Sequence, residues 1–182
     1  MLIDANLIPV IFNNNNEKHI VYKPVLEWFV MGRAKIVIGG GRYYRNEIKE
    51  HLASYLPVLT ELSRLNKTHW FPDKAVDELT IHIKSLEGKS DFDDPHIVAL
   101  LCVSKAKIFC SEDERAFQFV RDKKFYPKGQ ETPKILSLKT HKASIELLNN
   151  ENICSNGEHK ALPVAIVRRF LAKVDRRGDA NG

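Results

Sequence analysis

The chain has 182 residues, enough for one domain with an ordinary buried core, and its 43% hydrophobic and 28% charged residues are those of a globular chain, neither disordered nor membrane-like. The net charge of +5 is uneven: residues 1–103 carry 12 Lys/Arg against 13 Asp/Glu (net −1), and residues 104–182 carry 16 against 10 (net +6). Basic charge in the second half hints at a polyanionic partner such as nucleic acid, although an excess of this size is also met on ordinary solvated surfaces.

Short apolar runs bounded by turn residues predict strands at Met1 to Ile3, Lys35 to Ile38, Lys107 to Cys110 and Lys134 to Leu138. The asparagines at 13–16 read as a loop. Between Arg42 and Leu65, Ile48, Leu52, Leu56, Leu59 and Leu62 recur at helical spacing, and Pro57 splits the segment into two helices. A short helix is expected over Pro72 to Leu86, and the apolar "HIVALLCV" predicts a buried helix from Pro95 to Ser104. A helix over Glu114 to Asp122 and a loop from Tyr126 to Pro133 follow. Beyond residue 140 the pattern gives a helix at His141 to Leu148, an amphipathic helix from Leu162 to about Val174, and a frayed tail "RRGDANG". Residues 1–140 thus form the main domain, and 141–182 an extension that packs on the core or on a partner.

Short apolar strands alternating with helices predict an α/β fold, a parallel sheet covered on both faces, with its ligand site beyond the carboxyl ends of the strands. No apolar run approaches the roughly 20 residues of a spanning helix, and an aspartate at position 4 interrupts any secretory leader, so a cytoplasmic location is the default. Cys102, Cys110 and Cys154 form no CxxC pair, which speaks against a disulfide framework or a zinc site.

The opening "MLIDANLI" sets a charge in an apolar strand, and Asp4 must emerge at the strand's end into water, hydrogen bonds or a metal. Three more carboxylates fall at the same end of the predicted sheet: Glu47 on the helix after the glycine turn, Asp94 at the start of the apolar helix, and Asp113 after the strand in "KIFCSEDERAF". Converging carboxylates raise one another's pKa unless cations neutralise them, and oxygen ligands of this kind suit Mg²⁺ or Mn²⁺.

The order "LIDANLI", then Glu47 on a helix, then "DDPHIVALLCVSKAKIFCSED", resembles the PIN-domain family of metal-dependent nucleases over roughly residues 1–138. The resemblance implies a three-layer α/β/α sandwich with a central parallel sheet, and an acidic cluster holding one or two divalent metals that cleaves single-stranded RNA. It carries over Asp4, Glu47, Asp94 and Asp113 as metal ligands, with Ser111 beside Asp113 holding a carboxylate or water and Asn6 as the small polar residue after Asp4. Arg42 and Arg45, within one turn of Glu47, are candidate phosphate contacts, and Tyr43 or Tyr44 either stacks on a base or packs on the sheet. Asp91 and Asp93 compete with Asp94 for the third position, and Glu112 and Glu114 flank the fourth. Three glycines at 39–41 depart from the family's pattern, where Ser or Thr often stands.

Each residue also has a plain structural reading. Asp94 before Pro95 is an N-cap signature, Asp113 suits the cap of the following helix, and Glu47 suits a solvated helix face. His96 reads as a helix-surface or core residue, and Cys102 and Cys110 as small buried apolar groups. "GGGRYYRN" lacks the Lys-Ser/Thr ending of a P-loop and the spacing of a dinucleotide fingerprint, so a nucleotide-binding reading through Gly39 to Gly41 is weak. The expectation is a Mg²⁺- or Mn²⁺-dependent endoribonuclease of PIN type. By family analogy it is the toxin of a toxin–antitoxin pair, with an antitoxin partner and a homodimer implied, or an RNA-processing or phage-defence nuclease. The rival is a non-catalytic RNA-binding or scaffold module that keeps the carboxylates for structure.

Overall fold

The computed structural model describes residues 1–39, 42–87, 92–138, 142–154 and 160–179. Five parallel strands form one sheet in the order β3-β2-β1-β4-β5: β1 (Leu2–Ile3), β2 (Ile36–Gly39), β3 (Thr68–Phe71), β4 (Ile108–Cys110) and β5 (Lys134–Leu136). Helices α1 (Ile8–Phe12) and α2 (His19–Met31) connect β1 to β2, and α3 (Arg42–His51) and α4 (Leu56–Arg64) connect β2 to β3. The chain then returns across the sheet through α5 (Asp73–Leu86) and α6 (Pro95–Ser104) to β4, and reaches β5 by α7 (Glu114–Arg121). With helices in every connection of this five-stranded parallel sheet, the fold is the expected three-layer α/β/α sandwich.

β1, β2 and β4 are buried throughout, as strands covered on both faces must be. Pro57 sits in the first turn of α4, where its missing N–H costs nothing, and separates α4 from α3 as its position predicts. Three elements lie outside the sequence expectations, the short helix α1 among them. Helix α2 runs through Pro24, and β3 is an edge strand of mixed burial, "THWF", whose short polar-apolar pattern gives little periodic signal. The terminal helix α8 (Val164–Asp179) is longer than expected and carries helical backbone into the stretch read as a frayed tail. Over 142–147 the chain forms a 3₁₀ rather than an α-helix. Among the described residues no helix is long and apolar enough to cross a membrane.

Residues 142–154 and 160–179 lie against the sandwich. Val167, Phe170 and Val174 of α8 join the core, and Lys173 Nζ reaches Glu61 Oε1 on α4 at 3.0 Å. Lys67, 1% exposed, donates to the Gly32 carbonyl at 2.7 Å and the Lys160 carbonyl at 3.1 Å, and burial lowers its ammonium pKa to about 8. Lys107 Nζ donates to the Glu151 carbonyl at 2.7 Å, and Cys154 Sγ to the Lys105 carbonyl at 3.1 Å. These bonds close the amino-terminal ends of the strands with chain from beyond residue 140.

Candidate functional site

In this strand order the chain turns back beside β1, which puts the topological switch point between β1 and β4. The register pairs Ile3 with Cys110, and the ladder continues one step further through the Asp4 N–H, which donates to the Cys110 carbonyl at 2.9 Å. Asp4 therefore leaves β1 alongside Ser111 as it leaves β4. The Ser111 hydroxyl, fully buried, donates to Asp4 Oδ2 at 2.5 Å and accepts from the Asp113 N–H at 3.0 Å. Asp4 Oδ1 accepts the Asn6 N–H at 3.2 Å, so Asn6 acts here through its backbone, with its side chain exposed.

The third element is α3. Tyr44 is fully buried and its hydroxyl donates to the Ile3 carbonyl at 3.1 Å, which pins the helix over the end of β1. Glu47 lies three residues on, on the same side of the helix, and so comes toward Asp4. The reading of Tyr44 as a base-stacking residue is corrected by this burial. The fourth element is α6. Asp94 stands at its N-cap position, yet the carboxylate makes no capping bond, and only its backbone carbonyl engages the first turn, accepting from Ile97 at 3.1 Å. The cap reading of the Asp94 side chain is corrected. His96, the second residue of α6, lies 3.6 Å from Glu47 Oε2 and 3.9 Å from Asp94 Oδ1, between the two carboxylates.

Electrostatics ties the set together. Burial pushes the Asp4 carboxyl above its ordinary range; Ser111 and the Asn6 N–H pull it back, while Glu47 and Asp94 repel its charge and push it further up. Burial likewise raises Asp94; His96 opposes this, and Glu47, Asp113 and Asp93 add to it. Asp113 is the exception. Its hydrogen bonds from Arg115 hold it below the usual carboxylate range, and it caps α7 by accepting the Arg115 N–H at 3.0 Å, as its plain reading expected.

The neighbouring acids are placed apart. Glu112 accepts the Tyr22 hydroxyl at 2.9 Å and pairs with Lys18 at 3.3 Å, Asp93 is exposed, and Glu114 lies in the exposed first turn of α7. Asp91, Gly40, Gly41 and the side chains of Tyr43 and Arg45 lie outside the described residues. Arg42 is exposed, with its backbone N–H held by Asp77 at 3.0 Å. Gly39 ends β2 at φ +76°, and a Cβ there would meet the Trp70 ring at 2.5 Å, so this glycine serves a turn against an indole.

Among the described residues, no three His, Cys, Asp or Glu side chains already converge tightly enough to hold a metal ion. The donor chemistry nonetheless fits a hard divalent cation: Asp4, Glu47 and Asp94 supply carboxylate oxygens that repel one another, and Ser111 fixes the first. His96, read from sequence as a helix-surface or core residue, faces the Glu47 carboxylate through packing of α3 against α6. Arg115, which reasoning from sequence passed over, reaches Asp113 across the turn into α7. No family model, curated protein or solved structure matches the chain.

Proposed function

We propose that this protein is a Mg²⁺- or Mn²⁺-dependent endoribonuclease acting on single-stranded RNA, in the manner of the PIN-domain nucleases that its sequence resembles. The observation that carries the reading is the placement of Asp4, Glu47 and Asp94, from three separate stretches, at one end of a parallel sheet beside its switch point, with Asp4 clasped by buried Ser111 and His96 between the other two. Carboxyls held above their ordinary range by burial, as Asp4 and Asp94 are, and grouped at such a position are candidates for a functional site. Asp4, Glu47 and Asp94 would hold the cation, with Asp113 joining them. Such a cation, when bound, would supply Lewis acidity toward water and the scissile phosphate. Ser111 holds Asp4 in place and, through the Asp113 N–H, sets the turn after β4. The roles of toxin, antitoxin target and homodimer extend this reading by resemblance alone. An antitoxin-like reading frame overlapping this one would support them.

One observation favours a second reading, a non-catalytic RNA-binding or scaffold module: both Asp113 oxygens are engaged by Arg115. A single experiment separates the two. Unstructured RNA is incubated with the protein and Mn²⁺, with and without chelator, beside Asp4→Asn. Cleavage that needs Mn²⁺ and is lost in Asp4→Asn supports the nuclease, whereas intact RNA in every lane, or cleavage indifferent to Asp4→Asn, rejects it.

A further inference from the structure

Arg115 forms a fork with Asp113, Nε to Oδ1 and Nη2 to Oδ2 both at 3.1 Å, and its Nη1 lies 3.9 Å from Asp93 Oδ2. Its side chain is 75% exposed, and with Asp94 and Asp113 it borders a cleft floored by Phe92, Ile97 and Phe119. The arginine thus occupies a carboxylate that the proposed chemistry needs for a cation, and the carboxylate occupies a guanidinium whose geometry suits a phosphate. Two residues apart on an exposed turn, they are joined by an ion pair weak enough to exchange.

We propose that Arg115 is a substrate-binding arm parked on Asp113: it holds that carboxylate while no cation is bound, and turns to the phosphodiester of single-stranded RNA once Asp113 is drawn to a divalent ion. The proposal rests on the nuclease reading. With Arg115 attached, Asp113 cannot offer both oxygens to a cation held by Asp4, Glu47 and Asp94. A divalent charge is the stronger partner for the carboxylate, and the released fork stands at the mouth of the cleft, where an anionic substrate would enter.

Calorimetric titration with Mn²⁺ alone, on the parent chain, Arg115→Lys and Arg115→Gln, tests the first half, and anisotropy of a labelled oligouridylate in Mn²⁺ tests the second. Arg115→Lys keeps the charge and loses the fork. Both variants are expected to bind Mn²⁺ about two- to five-fold tighter than the parent, the range an exposed ion pair supports. Arg115→Gln is expected to bind the oligouridylate about tenfold more weakly, the loss of one charge-assisted contact. Arg115→Lys matching the parent in Mn²⁺ affinity would show an effect of charge alone and overturn the parked arm, as would unchanged oligouridylate affinity in Arg115→Gln. Either result with a parent that binds Mn²⁺ leaves the nuclease reading standing. If neither the parent nor the variants bind Mn²⁺, both fall together.

Discussion

The two ends of the sheet treat charge in opposite ways. At the amino-terminal ends of the strands, buried Lys67 meets two carbonyls, Lys107 meets a third, and the chain beyond residue 140 supplies two of the three acceptors. At the carboxyl-terminal ends, Asp4, Glu47 and Asp94 are grouped with like charge, and burial and repulsion push Asp4 and Asp94 toward their neutral forms. Lys67 is a buried charge satisfied by its own chain, whereas Asp4 and Asp94 carry a repulsion that their own chain only partly offsets.

The sharpest way to break this contrast is at Asp4. Asp4→Asn is expected to lower Mn²⁺-dependent RNA cleavage by about 10²-fold or more, the scale of losing a cation's electrostatic stabilisation. Initial rates on an unstructured RNA measure it. Ser111→Ala should cost about 10- to 100-fold in rate or Mn²⁺ affinity, the usual effect of removing a group that orients a ligand. A change confined to thermal stability would make Ser111 purely structural. At the other end the readout is stability. Lys67→Met leaves the Gly32 and Lys160 carbonyls without their donor and should destabilise the fold by about 2–3 kcal/mol in urea denaturation. Unchanged stability would remove the contrast.

The smallest effect distinguishes the ends by sign. The Asp4 and Asp94 carboxyls are raised above their ordinary 3.8, so the folded chain binds protons more readily than the unfolded one in that window. Their contribution is therefore present below pH 3.8 and is lost as pH rises through the raised values. Without added metal, Asp4→Asn should be more stable than the parent by about 1 kcal/mol at pH 7, a gain that shrinks on acidification. Denaturation midpoints between pH 4 and 7 in chelator test the sign, and equal stability at both pH values would refute it.

Much of this arrangement was legible in the chain because strands and helices with a continuous apolar character announce themselves. "LI", "IVIG" and "IFC" mark the central strands, and Asp4 at the edge of one of them stood out because a buried strand has no local use for a carboxylate. Edge strand β3 and helix α2 were less legible, since an edge needs no unbroken apolar run and Pro24 breaks the helical signal. At Asp94 sequence alone favoured a cap, because Asp-Pro is a local signature, whereas the carboxylate's freedom from capping is a matter of rotamer and tertiary field. The partner of His96 on α3 and the fork of Arg115 on Asp113 escape the sequence for the same reason: the first is decided by a helix distant in sequence and the second by a turn's exit geometry.

The Lys67 clasp bears on how this protein can be cut down. A clone ending near residue 140 would remove Lys160 and Glu151, the acceptors of two lysines, and would strip Val167, Phe170 and Val174 from the hydrophobic interior. Such a shortened product would accumulate as insoluble material rather than as a smaller folded protein, so trimming for crystallisation belongs after Asp179 rather than before His141.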